Sequence, residues 1–389
     1  MGIFRVIYRE IWRILGDTSG RNMMLFVPII TFFFLGGIYI KGALRDIPVA
    51  VFDQDHTLIS RTVTRFIDAS PLLKVQHMPS SEETAEKILL NEEAYAVFYI
   101  PKGFGAELEK GKSSKLPVLI NASNILHGNI IYSAASTISM TLSGGALIKK
   151  LMEKGMKFDE AKSMVLPIKV HIKPLYNTTY NYLYYLVPGL ITVLFFMLIF
   201  FVATRSINHE VNLKTYTELY ETANGNILNI ILGKAIGIYL LAMMLFLFIF
   251  GTVFIALGIP VQGNYFYIFI IFTFAIFANI FLGMALSSIF TEEPFAMDLA
   301  FFYNSPAFVF SGFTFPIFGM PGLNATYAQL LPYTFFLKAF IKAYQMNTPF
   351  RYFVPELQIL GIFLLVGLTV SIIGLAVRNK TYLTKSAIA

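Results

Sequence analysis

Six apolar stretches dominate this chain, each close to or beyond the roughly 18 residues needed to cross about 30 Å of hydrocarbon. They are Met23–Ile40, Tyr182–Thr204, Ile227–Leu257, Tyr265–Ile289, Leu299–Phe315 and Leu357–Val377. No water inside a bilayer can satisfy backbone N–H and C=O groups, so such spans must be helical. Hydrophobic residues make up 56% and charged residues 14%, where a soluble globule carries about 25% charged. The fold class is an α-helical polytopic membrane protein with six transmembrane helices. A soluble-looking insert, residues 41–180, separates the first span from the five-helix region, residues 181–377.

The cations orient these spans. Arg5, Arg9, Arg13 and Arg21 lie in the arm before the first span (residues 1–21), and Arg378, Lys380 and Lys385 lie in the tail (378–389). Arg205 and Lys214 follow the second span, whereas Val261–Asn264 has no cation. By the positive-inside rule both termini are cytoplasmic, and the insert is extracytoplasmic. The arm is long and charged, and no small-residue cleavage site follows the first span (22–40), which is expected to stay as an anchor. One segment tests the count: Leu116–Ile148 contains no Lys, Arg, Asp or Glu. It is rich in Ser, Thr, Asn and Gly, and Ile131, Ala135, Ile138 and Leu142 recur at spacings of three and four. An amphipathic helix fits better than a seventh span.

In the arm, Ile3, Phe4, Ile7, Ile11, Ile14 and Leu15 alternate with Arg5, Arg9, Glu10 and Arg13. This gives one apolar and one cationic face, as in a helix lying in the membrane interface with Trp12 at headgroup level. In the insert, Val49–Phe52, Leu73–Gln76, Ala94–Ile100 and Pro117–Ile120 read as strands. They alternate with helical pieces Leu58–Ile67, Ala85–Leu90 and Phe104–Leu108, so the spacing predicts an α/β domain with one small sheet. Ser80 and Glu83 form a capping box ahead of Ala85. Long helices over Ile125–Met164 return the chain to the membrane.

Catalytic patterns are missing from the sequence. With no cysteine, disulfides, thiol catalysis and Cys-based metal sites are excluded. His56, His77, His127, His171 and His209 are scattered. Asp53 and Asp55 read as a polar turn with a helix cap. The run from Ala106 to Ser113 imitates a phosphate-binding loop, but it has Ala where Gly is required and carries Glu107 and Glu109. The net charge of +7 follows from the membrane flanks and the insert, so no nucleic-acid partner is needed.

Ion-coupled carriers place ionisable groups inside the bilayer. The second, fourth and sixth spans have none in their cores, while Lys234 and Asp298 sit near span ends from which both can reach the interface. Energy for uphill transport must then come from a separate ATPase. Its docking place is the loop 205–226, where Leu213, Tyr216 and Tyr220 share a face and Glu210, Glu218 and Glu221 supply charge. Phe195, Phe196, Phe200, Phe201, Phe308 and Phe310 suit either an apolar cargo or contact with lipid.

Ser311-Gly312-Phe313-Thr314-Phe315-Pro316, followed by Met320-Pro321 and Leu331-Pro332-Tyr333, resembles the SG-x-x-x-P, MP and P pattern of type-2 ABC exporter permeases. The branch is the one with a large outer domain after the first span. Pro48–Asp55, Tyr99–Phe104, Tyr176-Asn177, Val187-Pro188-Gly189 and Gly233-Lys234 look like further signatures, and the resemblance covers nearly the whole chain. The family's coupling loop often reads E-R-E-x-G-T-x-E-x-L; here Glu210, Thr217, Glu218 and Leu219 keep its outline without the Gly-Thr pair or the arginine.

The resemblance implies re-entrant helices on the outer face over 316–350 and a gate at Ser311, Gly312, Pro316, Pro321 and Pro332. It implies ATPase coupling through Glu210, Leu213, Tyr216, Glu218, Leu219 and Tyr220, and an arm helix carrying Arg9, Trp12 and Arg13. The implied assembly has two permeases, identical or paralogous, over two ATP-binding subunits that hold ATP and Mg. Relatives often work with a periplasmic adaptor and an outer-membrane channel, and export drugs, lipids or other amphiphiles from the bacterial inner membrane. The competing expectation is a membrane-anchored receptor or scaffold whose outer domain binds a ligand or partner.

Overall fold

A computed structural model describes residues 2–168 and 170–387, with side chains as far as Thr384. The tail cation Lys385 is thus outside the described side chains. The chain divides into two compact units, Met1–Gly42 with Pro174–Ala389, and Ala43–Lys173.

The first unit opens with α1 (Gly2–Gly16), α2 (Thr18–Arg21), a π-helical turn (Asn22–Phe26) and α3 (Val27–Ile38). Asp17 separates arm from span: its carboxylate accepts the Gly20 N–H at 2.7 Å and caps α2.

The second unit contains β1 (Ile47–Asp53), α4 (Leu58–Asp68), β2 (Leu73–His77), α5 (Glu82–Leu90), β3 (Ala96–Ile100), α6 (Phe104–Glu109), β4 (Val118–Ile120), α7 (Ile125–Glu153) and α8 (Phe158–Val165). Its sheet has the order β2-β1-β3-β4. β1 runs parallel to β2 and β3, with Val51 opposite Phe98, and β4 is antiparallel to β3. Parallel strands covered by helices are buried on both faces, and Val49, Val51, Val97 and Phe98 are fully enclosed. The cap of α5 is Ser81, which accepts the Thr84 N–H at 3.2 Å, one residue beyond the expected Ser80. Glu83 instead pairs with Lys87.

The first unit resumes with α9 (Tyr182–Arg205), α10 (Asn208–Asn212), α11 (Tyr216–Thr222), α12 (Ile227–Phe248), a π turn (Ile249–Val253) and α13 (Phe254–Ala256). Then come α14 (Tyr265–Ile289), α15 (Glu293–Asn304), α16 (Ala307–Phe310), α17 (Gly322–Gln329), α18 (Pro332–Tyr344) and α19 (Val354–Ala387). α14 is the central post. Its Phe272 ring packs against neighbours on three helices, with Phe246 at 4.7 Å, Phe336 at 4.9 Å and Phe196 at 5.7 Å. Phe195, Phe196 and Phe200 are buried inside the chain, so these side chains pack the bundle rather than line a cargo path or face lipid.

Among the described residues, six helical runs are long and apolar enough to cross a membrane: Thr18–Ile38, Ile125–Glu153, Tyr182–Asn212, Ile227–Ala256, Tyr265–Ile289 and Val354–Thr384. Five coincide with expected spans. The other is α7, whose residues Ile131, Ala134, Ala135 and Ile138 are buried in the core of the second unit, which accounts for its amphipathic spacing. The expected fifth span, Leu299–Phe315, is not one helix. α15 ends at Asn304, Pro306 brings no N–H to continue it, and Gly312 turns the chain at φ +87° after the single turn of α16.

Asp55 ties the two ends of the second unit's parallel strands together. Its carboxylate accepts the Gly103 and Gly105 N–H groups at 2.8 and 2.9 Å and the Thr57 hydroxyl at 2.6 Å. Desolvation pushes its pKa up, but the bonds from Thr57, Gly105 and Gly103 outweigh this and hold it below the ordinary aspartate value. A lowered folded pKa means the contribution is complete above the unfolded value near 3.9 and is lost as pH falls through the folded one. Asp55→Asn should therefore destabilise by about 0.5–2 kcal/mol near neutrality, the usual worth of such a cap. It should also flatten the acid side of the stability–pH curve below about pH 4, as measured by thermal melting of the purified protein.

Candidate functional site

The most heavily charged interior in the molecule is built on two glycines. Gly233 and Gly237 stand one turn apart on α12 and face Val6 and Glu10, one turn apart on α1. A Cβ at Gly233 would come 2.6 Å from Val6 Cγ1, and one at Gly237 would come 3.0 Å from Glu10 Cβ. Small residues at this spacing let helix backbones approach closely. The closeness seals Glu10 and Lys234 away from solvent, both at 0% exposure.

Charges placed there must be paired. Lys234 Nζ donates to Glu10 at 2.6 Å and to Glu210 at 3.0 Å. Arg13 grips Glu10 through Nη2 and Nε at 2.7 and 2.8 Å. Arg9 donates to Glu210 at 3.0 Å and to Glu218 at 3.1 Å, and the Thr215 hydroxyl donates to Glu210 at 2.6 Å. Three carboxylates thus meet three cations, and the knot is neutral. Burial alone would raise the pKa of Glu10, but Arg13 and Lys234 prevail and hold it below the ordinary range. The knot joins α1, α10, α11 and α12 into one body.

This geometry changes several expectations. Lys234 does not reach the interface; the glycine-lined contact encloses it. Arg9 and Arg13 turn inward to the carboxylates, so the outer face of α1 is mainly aromatic, with Arg5 exposed beside the rings. It carries Phe4, Tyr8 and Trp12, each more than half exposed, with the Tyr8 and Trp12 rings edge to face at 6.1 Å. In the loop expected to meet an ATPase, Glu210, Tyr216 and Leu219 are buried. Tyr216 donates to Asn379 at 2.8 Å and packs on Tyr382, anchoring α11 to α19. Leu213 and Glu218 point outward, Tyr220 is half-buried, and Glu221 is exposed. Asp298 is exposed as well.

A second knot sits at the same end of α9. Arg205 Nε donates to Glu293 at 2.6 Å and its Nη1 to Asp17 at 3.3 Å, while Asn212 donates to the other Glu293 oxygen at 2.8 Å. Burial would raise Glu293, but hydrogen bonds from His209 and Arg205, with the guanidinium charge, bring it down to about 2. This links the cap of α2, the end of α9 and the start of α15.

The opposite end of α9 is aromatic. Pro188 lies inside the helix, and the Tyr333 hydroxyl donates to the Gly189 carbonyl at 2.8 Å. Phe313 presses on Gly189, where a Cβ would meet its ring at 2.3 Å, and stacks on Tyr185 at 5.0 Å. Tyr185 also donates to the Phe313 carbonyl at 2.7 Å. Of the expected gate residues, Ser311 and Pro332 are buried, Gly312 makes the turn, and Pro316 and Pro321 are exposed around a 3-10 turn at Ile317–Gly319. Among the described residues, no three His, Cys, Asp or Glu side chains cluster closely enough to hold a metal ion.

Sequence reasoning missed the Glu10–Lys234 pairing, although Gly233-Lys234-Ala235-Ile236-Gly237 carried a signal. An ionisable residue framed by small residues at helical spacing marks a packed contact, not a free end. Removing one partner of a buried pair costs about 3–5 kcal/mol because the other charge is left uncompensated. Glu10→Gln and Lys234→Met should each destabilise by that order. The double variant should lose less than the sum, as a thermal double-mutant cycle in detergent would reveal.

The ABC-2 family transporter protein model matches residues 19–373. Two similar curated proteins are named "Probable multidrug ABC transporter permease YbhS", from Escherichia coli strain K12 and from E. coli O157:H7. Each is 19% identical over 373 residues, covering 94% of this chain and 93% of its own. A family match that takes in the glycine contact on α12, the broken α15–α16 segment and most of α19 leaves one assignment: this chain belongs to the ABC-2 family of transporter proteins.

Proposed function

We propose that this permease is the membrane half of an exporter driven by two ATP-binding subunits, which hold ATP and Mg while this chain performs no hydrolysis. The observation that carries the reading is the neutral knot of Glu10, Lys234, Glu210 and Arg9. A push on the loop around α10 and α11 cannot be absorbed locally, because the loop, the arm helix and the start of α12 share buried ion pairs. The outward residues Leu213, Glu218 and Glu221 then form the handle for the ATPase, with Tyr220 at its edge, while Glu210, Tyr216 and Leu219 hold the handle rigid. This division fits the family's need to transmit force from an external motor.

The knot end faces the cytoplasm in this reading and the second unit lies outside the bacterial inner membrane. Two permeases, identical or paralogous, would stand side by side, with their α15–α16 segments and the Phe313–Gly189 contact gating the path between them. The cargo class is an apolar or amphipathic molecule such as a drug or lipid. The name of the E. coli relatives supports it, as does the exposed aromatic face of Phe301 and Phe302. A periplasmic adaptor and an outer-membrane channel would complete the route.

Leu213→Asp combined with Glu221→Arg, both exposed and outside the knot, should leave melting within about 0.5 kcal/mol of wild type, as surface substitutions do. Cargo-stimulated ATP hydrolysis by the co-purified ATPase should fall at least tenfold; unchanged stimulation and export would reject the handle. The absence of native cysteine makes topology directly testable. Ser113→Cys should react with an impermeant thiol reagent in intact cells and Glu221→Cys only after permeabilisation, and the reverse pattern would overturn the orientation.

A further inference from the structure

α7 runs for 29 residues, about 43 Å at 1.5 Å per residue. Only its first half rests on the sheet, through Ile131, Ala134, Ala135 and Ile138. Beyond Leu142 it is flanked by α8, and the two helices frame an open-sided cavity of about 550 Å³ lined by Gly145, Ile148, Lys149, Met152, Glu153 and Phe158, of which only Ile148 is half-buried and the rest are exposed. That volume lies within the range of small-molecule sites, and methionine adapts its shape to varied apolar ligands.

Charge around this cavity is unbalanced. Lys149, in the lining, and Lys150, Lys154 and Lys157 form no ion pair among the described residues, where the second unit's pair is Lys87 with Glu83. Lys150 Nζ lies over the Gly111 turn, which brings Lys110 and Lys112 to the same region. Lys162 sits over the Phe158 ring at 5.7 Å. The opposing acids are Glu153 in the lining, Glu107 and Glu109 on α6 just before the Gly111 turn, and Asp159 and Glu160. The latter two occupy the first turn of α8, where that helix's own free N–H groups favour them.

We propose that the α7–α8 cavity binds the apolar chain of an anionic amphiphile, with Lys149 and its lysine neighbours receiving the headgroup. The site is independent of the transport reading, since binding is measured without nucleotide or ATPase.

The test uses full-length protein in phosphatidylcholine nanodiscs and a diazirine-bearing dodecanoate, with cross-linked peptides mapped by mass spectrometry. Labelling should concentrate between residues 140 and 165, and unlabelled dodecanoate should compete at least tenfold better than dodecanol. Gly145→Leu is the blocking variant: an added Cβ there meets nothing within 4 Å, so the side chain enters the cavity without disturbing the helices. It should cut labelling at least tenfold, with melting temperature unchanged or raised. Lys149→Glu should weaken dodecanoate and strengthen dodecylammonium. The proposal is overturned if label spreads evenly over the membrane helices, as plain bilayer partition would give. Equal competition by dodecanol, or undiminished labelling in Gly145→Leu, would overturn it as well.

Discussion

Everything at one end of the bundle depends on a lysine that solvent cannot reach. Lys234 is enclosed because Gly233 and Gly237 admit α1 to backbone distance, and an enclosed ammonium is tolerable only with carboxylates beside it. Glu10 and Glu210 supply them from different elements. Separating α1 from α12, or α10 from either, would strand a charge in a low-dielectric interior. The penalty for such an uncompensated charge far exceeds what an exposed pair is worth. The knot therefore enforces joint motion more than it adds stability, which is the property the proposed external motor would require.

Much of this was legible beforehand, for identifiable reasons. Span positions follow from hydropathy because lipid removes every alternative to the helix. The strands of the second unit were placed within a residue or two because short β-branched and aromatic runs were punctuated by polar turns. What failed was direction. The arm's alternation of Ile and Arg gave the helix but not its facing: Arg9 and Arg13 have the same spacing whether they meet water or Glu10 and Glu210. The loop residues Glu210, Tyr216 and Leu219 looked like handles because polar and aromatic side chains in a loop usually face outward. Their partners, Lys234, Asn379 and Tyr382, lie far along the chain, so local pattern could not show the burial.

The broken fifth segment illustrates a different gap. Leu299–Phe315 has the composition of a span, yet Pro306 and Gly312 divide it, and hydropathy does not register a missing N–H or a left-handed turn. Its end is secured instead by shape. Phe313 fills the space that Gly189 leaves open, and Tyr185 and Tyr333 hydrogen-bond the carbonyls of Phe313 and Gly189.

The two ends of α9 are thus held by opposite physics. At Arg205 the contacts are charge-assisted and directional, joining Glu293 and Asp17 with little tolerance for displacement. At Gly189 the contact is an aromatic ring on a bare backbone, fixed by neutral hydrogen bonds from Tyr185 and Tyr333, and no charge is stranded by its separation. A force applied through the knots would travel along α9 with little loss, because the stiff end cannot yield first. Displacement would appear where the restoring interaction is weakest, at Phe313 and the turn that carries it. Charge-assisted grips hold one end of α9, and a neutral, hydrogen-bonded aromatic contact holds the other.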